Sequence, residues 1–307
     1  MKMRFLKSVM IAAVFALFAT SCEKNEGGDI MHDNYIEQEY TGCFSVINKK
    51  GADKYSILQG TTYKFRWRYD YTADIYIYNA KFSAMMPDGV NIDIEGLKWY
   101  YDGEVKVISA KDVVPTKVTM NGNSMNDMSS YVLNELNVEV FERRLFNFEA
   151  EYLPVISVSM RKGDVEVSAV REEEVYFGNT SVINAGNSSQ FLTNKPIYKV
   201  SLNPETMLAN IKIFQAQFAD RMPPMDMEFN NIPFEIAQNG YKFATDELIP
   251  MIKGIPFPDY KVTNLSGQAT AMTAKAISNT GLDLRFNCMD IYAVTSRLGY
   301  PIPTEWK

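Results

Sequence analysis

The chain has 307 residues, 46% of them hydrophobic, and a formal net charge of −6. That acidity excludes a nucleic-acid partner, which requires a basic face to displace counterions from phosphates. Beyond the N-terminus no apolar run reaches the roughly 18 residues that a membrane-spanning helix needs.

The chain opens MKMRFLK, with Lys2, Arg4 and Lys7 and no acid. Ten apolar residues follow, Val9 to Phe18, and then Ala19, Thr20, Ser21 and Cys22. A cationic start, a short greasy centre and a small-residue end form the order of a secretory signal. The apolar run is about half of the roughly 20 residues that would cross a bilayer. A cysteine directly after the small residues resembles the lipobox of bacterial lipoproteins, with Ala19 where Leu is commoner. That resemblance implies cleavage after residue 21 and acylation of Cys22. Two or three acyl chains, at about 0.8 kcal/mol per buried methylene, make a lasting anchor.

Residues 22–35 read as a flexible tether, polar and without apolar periodicity. Its Glu23, Glu26 and Asp29 resemble the surface-export signal of lipoproteins from gut Bacteroidetes. The implied location is the cell envelope, lipid-anchored to the outer membrane and exposed at the surface. The signal holds three cations and no acid, so the remaining 286 residues carry a charge near −9.

The rest of the chain repeats itself. Residues 40–48, YTGCFSVIN, match residues 176–184, YFGNTSVIN, at six of nine positions. Residues 73–87 match 209–223 at seven of fifteen, with the same offset of 136. NIDIEGL at 91–97 parallels DMEFNNI at 226–232, and KDVVP at 111–115 parallels DELIP at 246–250. A period this long is domain-sized, far beyond a solenoid repeat of about 20–50 residues. The expectation is a β domain at 36–172 and a second, similar one at 173–307, ending near 300 with a short tail.

Within each copy the pattern is that of strands. Ile75, Ile77 and Asn79 alternate against Tyr76, Tyr78 and Ala80, and Leu282, Leu284 and Phe286 alternate against Asp283, Arg285 and Asn287. A period of two sets one face on a core and one in water. Trp67, Tyr69 and Tyr71 read as one face of a strand. Asp102–Gly103 and Asn239–Gly240 read as hairpin turns. Short helical turns fit Asp112–Pro115, Glu247–Pro250 and 203–208. Met86-Pro87 and Met222-Pro223 fall at matching places and read as a shared corner. The fold class is mainly β: two tandem antiparallel barrels or sandwiches.

Tyr40-Thr41-Gly42, the short strands, and Asn264-Leu265-Ser266-Gly267 before a final alternating strand resemble the calycin-like lipoproteins of Bacteroidetes. The resemblance covers about a hundred residues of each copy and implies small lipocalin-shaped barrels. Copy one departs from it, reading Asn134-Glu135-Leu136-Asn137 without the glycine, which puts closure of the first barrel in question.

The catalytic inventory is thin. The one histidine, His32, lies in the tether, so no Ser-His-Asp or Cys-His set sits on a folded element. Zinc spacing of cysteines is absent, and phosphate-cradling glycine loops are missing. Asn121-Gly122-Asn123 to Asp127 lacks the frame of a calcium loop. The run Glu172, Glu173 and Glu174 reads as a solvated linker or strand end. Cys43 and Cys288 read as two buried free thiols rather than a disulfide.

These readings give no catalytic residue, no metal and no cofactor. The candidate ligand contacts are Trp99, Tyr100 and Tyr101, because three consecutive rings on a strand cannot all point inward. The expected role is non-enzymatic binding, with a carbohydrate or small apolar molecule such as a lipid as ligand. The alternative is a docking subunit with an envelope protein partner; a hydrolase using two carboxylates alone ranks last. A closed apolar cavity of roughly 300 Å³ or more favours ligand binding, and a filled interior favours docking.

Overall fold

The computed structural model describes residues 30–31, 34–49, 55–83, 85–144, 152–219, 222–237, 240–270 and 281–299. The signal segment, Cys22, His32, Asn239 and the tail lie outside the described residues.

The first copy holds β1 (Ile30–Met31), β2 (Tyr35–Tyr40), β3 (Cys43–Lys49), β4 (Tyr55–Leu58), β5 (Thr62–Arg68), β6 (Thr72–Ala80) and β7 (Val90–Lys98). It continues with β8 (Tyr100–Asp102), β9 (Val105–Val113), β10 (Lys117–Met120), β11 (Asn123–Ser124), β12 (Leu133–Arg144), β13 (Tyr152–Lys162) and β14 (Val165–Arg171). The second copy holds β15 (Glu173–Asn184), β16 (Gln190–Thr193), β17 (Ile197–Asn203), β18 (Leu208–Ala216), β19 (Met225–Ala237) and β20 (Gly240–Leu248). After these come β21 (Met251–Ile252), β22 (Ile255–Pro256), β23 (Val262–Thr270), β24 (Gly281–Cys288) and β25 (Tyr292–Gly299).

In the second copy the ladder runs β18-β17-β15-β25-β24-β23-β20-β19, and β18 pairs β19 to close it. Eight antiparallel strands thus form a barrel in which neighbours in space are, short strands aside, neighbours in the chain. Eight strands leave room for packed side chains or for one small ligand. That room is taken by Tyr176, Tyr198, Tyr241, Phe229, Phe243 and Phe286, all buried. The Tyr198 hydroxyl bonds Thr180 at 2.9 Å and Ser296 at 2.8 Å, so its polar end is satisfied inside.

The first copy repeats this order of pairings but divides it between two seven-stranded sheets, β1-β2-β5-β6-β7-β10-β11 and β4-β3-β14-β13-β12-β9-β8. Where β15 is continuous, the first copy has β2 and β3, separated at Thr41 and Gly42, and Gly42 takes φ +65. A left-handed φ is open to glycine at no steric cost. Where β19 is continuous, the first copy has β7 and β8, separated at Trp99. The two sheets still face one core, Tyr63, Phe65 and Ile75 from one packing with Ile108, Leu136 and Val158 from the other.

The halves also touch. Phe44, Val46 and Val170 point away from the first core and join the cluster that holds Tyr176 and the barrel interior. The backbone is continuous here as well. Glu172 N–H donates to the Gly42 carbonyl at 2.9 Å, and the Glu172 carbonyl accepts from Leu202 N–H at 2.6 Å.

Local details correct several expectations. The alternation in β6 changes phase at Asn79, which takes φ +57 in a bulge, so Asn79 is exposed and Ala80 buried. Gln215 makes the matching bulge in β18. The first hairpin turns at Gly103 and Glu104, since Asp102 pairs Val105; in the second, Gly240 is already paired with Ala237. The short helical turns fall at Ser129–Tyr131 and Pro258–Tyr260, because residues 112–113 and 247–248 are strand and 204–207 is a plain turn. The methionine corners match: Phe82 N–H meets Met86 Sδ at 3.3 Å, and Phe218 N–H meets Met222 Sδ at 3.2 Å. Cys43 and Cys288 are buried and form no disulfide, and burial pushes the Cys288 thiol up to about 12.

Gly267 faces the interior, and a Cβ there would run into the Phe243 ring. Replacing Gly267 by Ala therefore overpacks the barrel and should cost about 1–3 kcal/mol. Urea unfolding reads this directly; an unchanged midpoint would mean that the ring is free to move aside.

Candidate functional site: an aromatic ledge on the first copy

The turn between β5 and β6 is Tyr69-Asp70-Tyr71. Tyr71 N–H bonds the Arg68 carbonyl at 3.2 Å, and Tyr71 takes φ +62. Asp70 Oδ1 accepts from Thr72 N–H at 3.0 Å and from the Thr72 hydroxyl at 2.6 Å. Those two bonds hold the Asp70 carboxyl below its ordinary range. Beneath the turn, buried Asp74 accepts from the Arg68 guanidinium and from Gly96 N–H.

Trp99 is pinned against this turn. Its N–H donates to the Tyr71 carbonyl at 3.1 Å. Its Nε1–H is shared between the carbonyls of Arg68 at 3.3 Å and Thr72 at 3.1 Å. Its ring meets Trp67 edge-on at 5.5 Å, Tyr71 at 5.3 Å and Tyr101 at 5.0 Å. Trp67 forms the floor. It donates to Gln38 Oε1 at 2.6 Å and carries the Lys106 ammonium 5.3 Å from its ring.

Around the pinned tryptophan four tyrosines stay more than half exposed: Tyr69 56%, Tyr71 59%, Tyr100 53% and Tyr101 55%. Trp99 itself is only 8% exposed. Of the three rings singled out from the sequence, one is the anchor and two face solvent. Tyr69 and Tyr71 do not continue a strand face with Trp67; β5 ends at Arg68, leaving Trp67 in the core and the tyrosines in the turn. Sequence spacing missed that turn because Trp67, Tyr69 and Tyr71 keep the period of a strand. Asp70, a strand-depleted residue at the centre of the stretch, was the available signal.

The second copy has no such ledge. Phe234 stands in place of Trp99 and is buried, followed by Glu235 and Ile236. An open depression of about 490 Å³ lies on the barrel wall there, lined by Pro233, Phe234, Lys242, Ala244, Ser266 and Gly267.

Other candidates resolve into structure. Asn121 and Gly122 turn the β10–β11 hairpin, and Asp127 accepts from Ser129 and Ser130. Among the described residues no cluster of three or more His, Cys, Asp or Glu could hold a metal. The glutamate run stands at a strand end, the start of β15, but it is not solvated throughout. Glu173 pairs Lys199 at 2.8 Å, and Glu174 is buried inside the barrel wall, where desolvation raises its pKa to about 7 against the opposing pull of Arg171. No protein family, curated protein or solved structure matches the chain.

The ledge separates by mutation into anchor and surface. Trp99→Ala should cost about 3–5 kcal/mol in urea unfolding. Tyr100→Ala should stay within about 0.5 kcal/mol of wild type, as an exposed change should. Equal losses from the two would show that Tyr100 is part of the core.

Proposed function

We propose that the chain is a lipid-anchored envelope protein with a non-enzymatic binding role, and that its ligand surface is the ledge of Tyr69, Tyr71, Trp99, Tyr100 and Tyr101. The observation that carries this is the contrast between a barrel interior filled by side chains and a rim of half-exposed tyrosines around one fixed tryptophan. A filled interior argues against a lipocalin-like internal ligand. Rings on an outer surface offer area at low entropy cost and a polar tip to each. A carbohydrate suits them: its C–H faces lie on the rings, and its hydroxyls reach the tyrosine hydroxyls and the exposed Asp70 carboxylate.

A second reading is a docking subunit for an envelope protein. Its support is β16, an edge strand that pairs only β15 among the described residues and carries exposed Leu192, with exposed Ile183 on the adjoining β15. Exposed edges with apolar side chains invite strand addition.

An oligosaccharide panel screened by calorimetry tests the first reading. Tyr71→Ala with Tyr101→Ala should weaken the best ligand at least tenfold, about 1.4 kcal/mol, while the fold is kept. A flat response of the wild type across neutral and acidic glycans defeats it and leaves docking. The anchor is tested separately by Cys22→Ala in a bacterial host. Labelled fatty acid should be lost and the protein released from membranes; persistence of both would place the anchor elsewhere.

A further inference from the structure

Glu174 lies where the two copies of the repeat meet. It follows Glu172, whose backbone joins the Gly42 carbonyl of the first copy to Leu202 of the barrel. Its side chain points inward with Tyr176, Thr180 and Val182, and only 5% of the residue is exposed. Its Oε2 has no hydrogen-bond partner. A buried carboxylate in that condition carries a large desolvation penalty.

The first copy shows what the position looks like when it is satisfied. There Gln38 occupies the equivalent place on β2, and its Oε1 accepts from Trp67 Nε1 at 2.6 Å. In the second copy Leu202 replaces that tryptophan, so the donor is gone, and an acid replaces the amide. The charged or titratable groups acting on Glu174 are Arg171 from β14, Tyr176 from β15 and Tyr241 from β20. The two tyrosine hydroxyls lie 3.2 Å apart and engage each other. Opposite Glu174, β17 presents Val200, and β3 of the first copy brings Phe44 to the same cluster.

We propose that Glu174 makes this seam a proton-operated joint: with its carboxyl neutral the first copy stays sealed on the barrel, and with it ionised the seam loosens. The sealed carboxyl titrates near 7, whereas a solvated one titrates near the ordinary 4.5. Between those values the sealed state keeps a proton that the open state releases. Rising pH therefore favours opening, by up to about tenfold per pH unit, and the effect levels off above about 7. Ionisation also gives Arg171, at the end of β14, a carboxylate to approach, which is the direction in which the seam would give.

Amide hydrogen exchange on the purified full chain, corrected for intrinsic rates, tests this. Protection at Glu172, Glu174 and Leu202 should fall by up to about tenfold per pH unit from pH 5 to 7. It should stay level in Glu174→Gln, which installs the first copy's amide. Strands β12 and β13 should not change over the same range. Parallel falls in wild type and Glu174→Gln, or equal loss throughout the molecule, would overturn the joint. Should the variant not fold, infrared spectroscopy of the wild type decides. A protonated glutamate carbonyl band that titrates near 7 supports the joint, and its absence above pH 6 refutes it.

Discussion

A sheet loses its edges only when one strand bonds to both ends of the meander, and β15 is that strand. Glu173–Phe177 pair with β17, and Phe177–Asn184 pair with β25. The handover falls at Phe177 and Gly178, where the Arg297 carbonyl occupies the space that a side chain on Gly178 would need. In the first copy the handover falls at Thr41 and Gly42, and the backbone leaves the ladder instead. The same order of strands then becomes two facing sheets. Closure also fixes the interior. An eight-stranded barrel is wide enough for packed side chains or one small ligand; here rings occupy the interior, and the hydroxyls of Tyr176, Tyr241 and Tyr198 find partners there.

The two copies keep this frame and differ most at one end of the core. The first carries Gln38, Trp67, Trp99 and Lys106; the second carries Glu174, Leu202, Phe234 and Tyr241 in the corresponding places. In the first set every polar end has a use: Trp67 donates to Gln38, Trp99 donates to two carbonyls, and the Lys106 ammonium lies over the Trp67 ring. In the second set the rings are smaller and an acid is left over. That acid stands near the seam, where Phe44 and Val170 of the first copy join the buried cluster of the barrel. At the corresponding end of the first copy the tyrosines face water.

Much of the fold was legible in the sequence because period-two burial is a local rule. The inward positions of β24, Leu282, Leu284 and Phe286, followed it without a break. It failed at Asn79, where a bulge reverses the faces, and at Tyr69 and Tyr71, where a turn imitates strand spacing. Two of the motifs behind the resemblance to calycin-like lipoproteins, Tyr40-Thr41-Gly42 and Asn264-Leu265-Ser266-Gly267, end in glycine, and each glycine has a physical reason. Gly42 supplies a left-handed φ, and Gly267 leaves room for Phe243. By strand register the counterpart of Gly267 is Val138, one residue past the Asn134–Asn137 stretch, and the sheets of the first copy part elsewhere, at Gly42 and Trp99. At the ledge, Tyr100 and Tyr101 were legible from three rings in a row. The part played by Tyr71 was not, because it depends on a turn that meets Trp99 from another strand pair. Glu174 was hidden by its neighbours: a run of three acids reads as solvated, and only its alternation with Tyr176, Thr180 and Val182 points inward.

The ledge differs from ordinary exposed surface in what holds it. Single exposed apolar groups need no explanation, and four independent tyrosines would be such a case. Here Trp99 is held at its main-chain N–H by the Tyr71 carbonyl and at its ring Nε1–H by the carbonyls of Arg68 and Thr72, and the rings of Tyr71 and Tyr101 rest on it, so the surface is organised by the fold itself. Preorganisation lowers the ordering cost of binding. The folding argument for the arrangement ends at Trp99, since Tyr69 and Tyr100 bury little and the copy that lacks the ledge closes its barrel without it. The exposure of Tyr69 and Tyr100 is therefore not something the fold requires, and the proposed binding role rests on that exposure. The two facing sheets of the first copy, packed on one core that includes Trp67 and Trp99, are the support from which the ledge projects.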